Sequence, residues 1–288
     1  MAGAWKGGLS FANATSIGAA TSGTTGGTYL AGSSSTYTKS AWTQLIASTT
    51  TDITWVLVSG QCSLVAGVSF ALDIGIGASG SEIVIVNNLS LQGVLVALSV
   101  GDAFSFFFPL SIPAGTRIAA RFSATVGSVS ITLSMLGFQD TYQSAGSGSA
   151  VDTIGFSTVT NLGTQVDPGG STNTKGAYAT IGTTVADLAG FMIVVDTQNA
   201  IGSSNAIGYT QWLIDIAVGA TGSEVVILPN LYQAGYTLTL NYAAIFVPVT
   251  MYFPIQIPVG SRIAARAQST TAYTPDRLIG IAAYGVRV

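Results

Sequence analysis

Apolar and polar residues alternate with a period of two along most of this chain, and no stretch carries an apolar stripe at helical spacing. In 103–109, Phe104, Phe106 and Phe108 share one face. In 117–122, Ile118, Ala120 and Phe122 lie on one face while Arg117, Ala119 and Arg121 lie on the other. The same pattern predicts strands over 54–59, 68–74, 82–86, 93–98 and 128–137, separated by clusters of Gly, Pro, Asn and Ser.

Self-similarity is the strongest signal. Residues 73–82 read DIGIGASGSE and 215–224 read DIAVGATGSE; residues 112–121 read IPAGTRIAAR and 257–266 read IPVGSRIAAR. Weaker echoes keep the same order: Lys39 answers Lys175, Trp42 answers Tyr178, Asn88 answers Asn230, and Phe108-Pro109 answers Phe253-Pro254. The spacing between matched residues grows along the chain, which places small insertions in loops. Two domains of one fold are therefore expected, at 23–140 and 151–288, joined by a linker of suitable composition at 141–150. Residues 1–22, rich in Gly, Ser, Thr and Ala, read as an extended N-terminal arm that orders against a partner. With seven or eight short strands in each copy, the expected class is all-β. It consists of two tandem homologous antiparallel β-sandwich domains with jelly-roll-like connections.

The run 53–72 has no charge and is long enough to span a bilayer as a helix. It contains Ser59, Gly60, Gln61, Ser63 and Gly67, is rich in β-branched residues, and reads instead as two strands around a turn, with Cys62 as an inert apolar residue. Its counterpart in the second copy passes through Asp196, Gln198 and Asn199, which a bilayer core would reject, so no membrane partner is expected. Lys6 is followed by no apolar block of signal-peptide length, so Sec export is not expected.

Composition narrows the chemistry. Charged residues are 7% of the chain, against about 25% in an ordinary soluble domain. With net charge -3 there is no basic field for nucleic acid. There is no histidine and one cysteine, so imidazole bases, Ser-His and Cys-His pairs and the usual zinc sites are absent. No cofactor or metal is expected, nor any catalytic residue.

Gly75, Gly77 and Gly80 match a dinucleotide-binding spacing, but the residues that follow read as a strand, so these glycines are expected to make a tight turn. Six pairs of charges match between copies: Lys39/Lys175, Asp52/Asp187, Asp73/Asp215, Glu82/Glu224, Arg117/Arg262 and Arg121/Arg266. Asp73, Glu82, Arg117 and Arg121, with Asp215, Glu224, Arg262 and Arg266, are the structural ion-pair candidates, each Arg clamping a loop through a carboxylate. The functional alternatives are anion-recognising arginines, an acidic pair for a cation and, for Asp73 with Glu82, a glycoside-hydrolase carboxylate pair. Trp55 and Trp212 read as core. Tyr232, Tyr236 and Tyr242, where the second copy gains residues, are candidates for partner contacts.

The order TKxxW/Y, DIxxGAxGSE, an Asn-Leu turn, then FP and IPxGxRIAAR resembles a repeat of tailed-bacteriophage virion structural proteins, over about 38–288. Ala217, in place of the first turn glycine, and the enlarged 230–254 region depart from it. The resemblance implies a non-enzymatic virion protein, most readily a capsid decoration or cement subunit assembled in the host cytoplasm. Its partners would be copies of itself and other virion proteins such as the major capsid protein. A tail or fibre component binding a host glycan is the alternative.

Overall fold

The structure, a computed structural model, describes residues 14–19, 26–62, 68–92, 103–139, 148–156, 163–196, 209–238, 242–244, 252–273 and 277–288. Copy one contains β1 (Ala14–Ile17), β2 (Thr28–Ala31), β3 (Thr43–Ile46), β4 (Trp55–Cys62), β5 (Ser69–Ile76), β6 (Ile83–Gln92), β7 (Ala103–Phe108), β8 (Ile118–Ala124) and β9 (Ser130–Phe138). Copy two contains β10 (Val151–Ile154), β11 (Thr164–Val166), β12 (Ala179–Thr183), β13 (Leu188–Asp196), β14 (Tyr209–Val218), β15 (Val225–Leu238), β16 (Tyr242–Ala244), β17 (Tyr252–Phe253), β18 (Arg262–Ser269) and β19 (Ile279–Arg287). The expected strand over 93–98 lies outside the described residues.

In copy one, β1 and β2 both pair with β9, followed by β4 and β7; the facing sheet runs β3, β8, β5, β6. Copy two repeats this, with β10 and β11 on β19, then β13 and β17, facing β12, β18, β14, β15 and β16. Each copy is thus a two-sheet antiparallel sandwich with jelly-roll order, in which β5 and β6 are hydrogen-bonded neighbours and most other successive strands change sheets. The strands of 53–72 differ from expectation in this respect. β4 and β5 are not a hairpin, because they lie in opposite sheets and turn their alternate apolar faces to one core.

Residues 14–17, within the stretch expected to be an arm, form an edge strand antiparallel to β9, with Ile17 fully buried. β10 occupies the same place against β19, so the repeat unit begins at these strands. Residues 141–147 of the expected linker lie outside the described residues. Gly148, next along, is held between the copies: its N–H donates to Pro109 O and its carbonyl accepts from Ser111 N–H. A Cβ there would stand 2.2 Å from Arg287 O.

The copies share one sheet. β10 pairs with β19 on one side and, in parallel, with β6 on the other through Val151 and Val86, giving a nine-stranded sheet across the chain. The core is shared as well. Val151, Met192, Tyr284 and Val286 belong to the apolar cluster of copy one, packed with residues such as Val86, Leu89, Phe106 and Phe108. Copy two's sheet is therefore a third wall closing the open side of copy one's sandwich.

Candidate functional site: the repeated charge clamps

Asp73 is placed by strand alternation. Phe70, Leu72 and Ile74 turn inward from β5, so Asp73 lies on the outer face, directly opposite Arg121 of β8. It is not free in solvent. The Asp73 side chain is 2% exposed and receives Lys39 Nζ at 2.7 Å and Arg121 Nε at 3.0 Å. Its Oδ1 also accepts the Asn88 N–H at 2.9 Å, at a residue held at φ +50°. Lys39 donates further to Ala71 O and Asn88 Oδ1. The Arg121 guanidinium lies over the Trp42 ring, 4.4 Å from its centroid. The segment before β3 is thereby fastened across the sheet.

Copy two builds the same node from Asp215. Lys175 Nζ is at 2.8 Å and Arg266 Nε at 3.0 Å. Asn230 N–H donates at 2.9 Å, and Arg266 lies over Tyr178. Burial works against the Asp215 charge, but bonds from Lys175, Asn230 and Arg266 hold its carboxyl below the ordinary value. Burial pushes the Lys39 ammonium down, against the pull of Asp73.

Glu82 closes the β5–β6 turn. Its Oε1 accepts from Arg117 Nη1 at 2.9 Å and its Oε2 from Gly80 N–H at 3.0 Å. Arg117 also donates to Gly77 O and Gln44 Oε1. Gly77 at φ +109° and Gly80 at φ +84° adopt backbone that side chains rarely take, so the glycine spacing serves this turn. Glu224 and Arg262 repeat the arrangement at 3.0 Å, with Gly222 N–H and Gly219 O as partners. Burial opposes both glutamate charges, yet the backbone N–H donors and the arginines hold the two carboxyls below their ordinary range.

The most distinctive sequence segment is also a clamp. In IPAGTRIAAR, Ala114 N–H donates to Asp52 Oδ1, and Thr49 Oγ1 donates to Pro113 O while accepting from Thr116 N–H. Asp187 and Thr184 treat IPVGSRIAAR in the same way, at Val259, Pro258 and Ser261. The two alanines, Ala119-Ala120 and Ala264-Ala265, are fully buried between the two arginines' strand neighbours.

Each repeated arginine meets its carboxylate through one nitrogen. Two-pronged pairing occurs instead at Arg277 with Asp167 and Arg287 with Asp152. Sequence comparison of the copies misses these two pairs, because neither has a counterpart in copy one. It also passes over Thr49 and Thr184, although each precedes its matched aspartate by the same spacing. Together the ion pairs use every lysine and arginine among the described residues.

Trp212 is buried and its Nε1 donates to Arg277 O. Trp55, expected in the core, is only half-buried: it stacks on Phe107 at 4.8 Å and meets Tyr252 of copy two edge-on at 6.0 Å. Tyr232 is exposed on β15. Tyr236 lies on β15 and Tyr242 on β16, their side chains outside the described residues. Among the described residues no three His, Cys, Asp or Glu cluster as metal ligands, and no helix is long and apolar enough to cross a membrane.

No family model and no curated protein matches the chain. Among solved structures it is similar to the N-terminal CBM22-1-CBM22-2 tandem domain of Paenibacillus barcinonensis Xyn10C, at 10% identity over 86% of this chain and 83% of that one. The TM-score is 0.23, too slight a likeness to carry any argument.

Proposed function

We propose that the chain is a non-enzymatic structural subunit of a bacteriophage virion, acting as a decoration or cement protein on the capsid. The observation that carries this reading is the use of the repeated charges. Groups that in an enzyme or anion-binding protein would face a ligand are tied to one another and to loop backbone, with the same ion pairs in both copies. Asp73 and Glu82, the pair a hydrolase would need, are each held by cations. With these few charges paired off, a chain that is only 7% charged and has a net charge of -3 lacks the like-charge repulsion that keeps free proteins apart. The resemblance of the IPxGxRIAAR segments to virion repeats supplies the setting.

Mass spectrometry of purified particles, followed by cryo-electron microscopy, tests this. The expected result is a stoichiometric component with density on the outside of the head. Absence from particles overturns the reading, and density on tail fibres with polysaccharide binding by the isolated protein replaces it with a host-recognition role.

A further inference from the structure

The two copies place the same sheet face in different surroundings. Strand registers match Leu57 to Met192, Leu136 to Tyr284, Phe107 to Tyr252 and Phe138 to Val286: Leu57 pairs with Leu136 and Phe107, and Met192 pairs with Tyr284 and Tyr252. In copy two, Met192, Tyr284 and Val286 on this face are buried against copy one, where Tyr284 accepts a hydrogen bond from Ser90 N–H at 2.7 Å. In copy one the equivalent positions are still large and apolar, yet Leu57, Phe107 and Leu136 are only half-buried. The row continues from the existing junction, because Trp55 touches both Phe107 and Tyr252.

The complementary edge shows the same imbalance. In copy one Val86 and Leu89 of β6 are 0% exposed, within the apolar cluster that Val151, Met192, Tyr284 and Val286 of copy two join. Their register equivalents on β15, Leu228 and Leu231, pack on the edge of core two and are only half-buried, on the part of β15 that precedes its pairing with β16 at Thr237 and Leu238. Among the described residues, each chain thus has one of these faces and one of these edges satisfied internally, and one of each less covered.

We propose that the outer face of copy one around Leu57, Phe107 and Leu136 is the docking surface for the β15 edge of copy two of a second molecule, so that the junction within the chain repeats head to tail between chains. β1 would then stand where β10 stands. Ser16 occupies the place of Thr153, whose hydroxyl donates to Asn87 O, and Pro229, at the position of Asn87, retains that carbonyl acceptor. A head-to-tail contact of this kind closes into a ring or runs on as a filament, according to the rotation it imposes. Its biological setting rests on the assembly reading above, but the contact itself does not. A monomeric chain found on particles would overturn the junction and leave that reading standing.

Sedimentation velocity on the full chain and two variants, Leu136→Asp and Leu228→Asp, tests it. The wild type is expected to assemble at micromolar concentration and each variant to remain monomeric with near-native melting. An equimolar mixture of the two variants should form dimers and nothing larger, since one intact junction can be made only between unlike molecules. A monomeric wild type, or a mixture that stays monomeric, overturns the proposal. Should Leu228→Asp fail to fold, Ser16→Cys with Pro229→Cys should give intermolecular disulfides under oxidation, with Asn87→Cys plus Thr153→Cys as the intramolecular control. A control that cross-links while the test pair does not would overturn it equally.

Discussion

Arg121 stands directly across the β5–β8 ladder from Asp73, its Nε 3.0 Å from Oδ2, and shares that carboxylate with Lys39. The sharing makes the two ends of the pair unequal. Removing Asp73 strands two cations and an amide, whereas removing Arg121, 31% exposed, leaves Asp73 bound by Lys39 and Asn88. Asp73→Ala is therefore expected to cost about 3–5 kcal/mol, the range for breaking a buried pair, and Arg121→Ala clearly less. Urea unfolding of both variants checks the order, and equal losses would contradict the shared node.

Acid should loosen the fold. The carboxyls of Glu82, Glu224, Asp167 and Asp215 are all held below their ordinary values in the folded chain. The unfolded chain therefore binds more protons as pH falls. The stability these groups contribute is complete above about pH 5 and is lost progressively below it. Melting temperature should be level near neutrality and drop towards pH 3, less steeply in Asp215→Asn. A profile that rises on acidification would refute the linkage.

Gly75 and Ala217 occupy one repeat position with different neighbours. A Cβ on Gly75 would lie 2.7 Å from the Trp42 ring, and in copy two the residue corresponding to Trp42 is the smaller Tyr178. Gly75→Ala should cost about 1–3 kcal/mol through overpacking. Adding Trp42→Tyr should recover at least half of the loss while keeping a ring under Arg121. Additive losses in the double-mutant cycle would show that the two positions are uncoupled.

The shared core predicts joint unfolding. Tyr284 of copy two is fully buried in copy one's cluster and meets Phe106 at 6.2 Å. Calorimetry should record one transition for the whole chain, and Tyr284→Ala should lower it by the equivalent of about 3–5 kcal/mol. Two well-separated transitions in the native protein would count against the joint core.

Much of the clamp chemistry is legible in the residue order. Asp73, Glu82, Arg117 and Arg121 stand out because a chain sparing of charge repeats them in register, and each lies in an ion pair. Their pairing is not legible there: Arg121 and Arg117 are close in sequence, yet one answers β5 and the other the β5–β6 turn, a choice made by the ladder. Lys39 carries no local sign that it reaches β5 and β6, because the contact crosses β8.

The sequence by itself determined the strand period, the duplication and the identity of the repeated charges, since each is a property of residue order. The tertiary structure alone decided that β4 and β5 part into opposite sheets and that β10 bridges the copies. Period-two alternation tells a strand which of its faces is buried but not which strand lies beside it, and jelly-roll neighbours are mostly distant in the chain. Likewise, a duplicated sequence implies two equal domains. Joining them covers the β6 edge of one copy and the β13–β19 face of the other, and that breaks the equality.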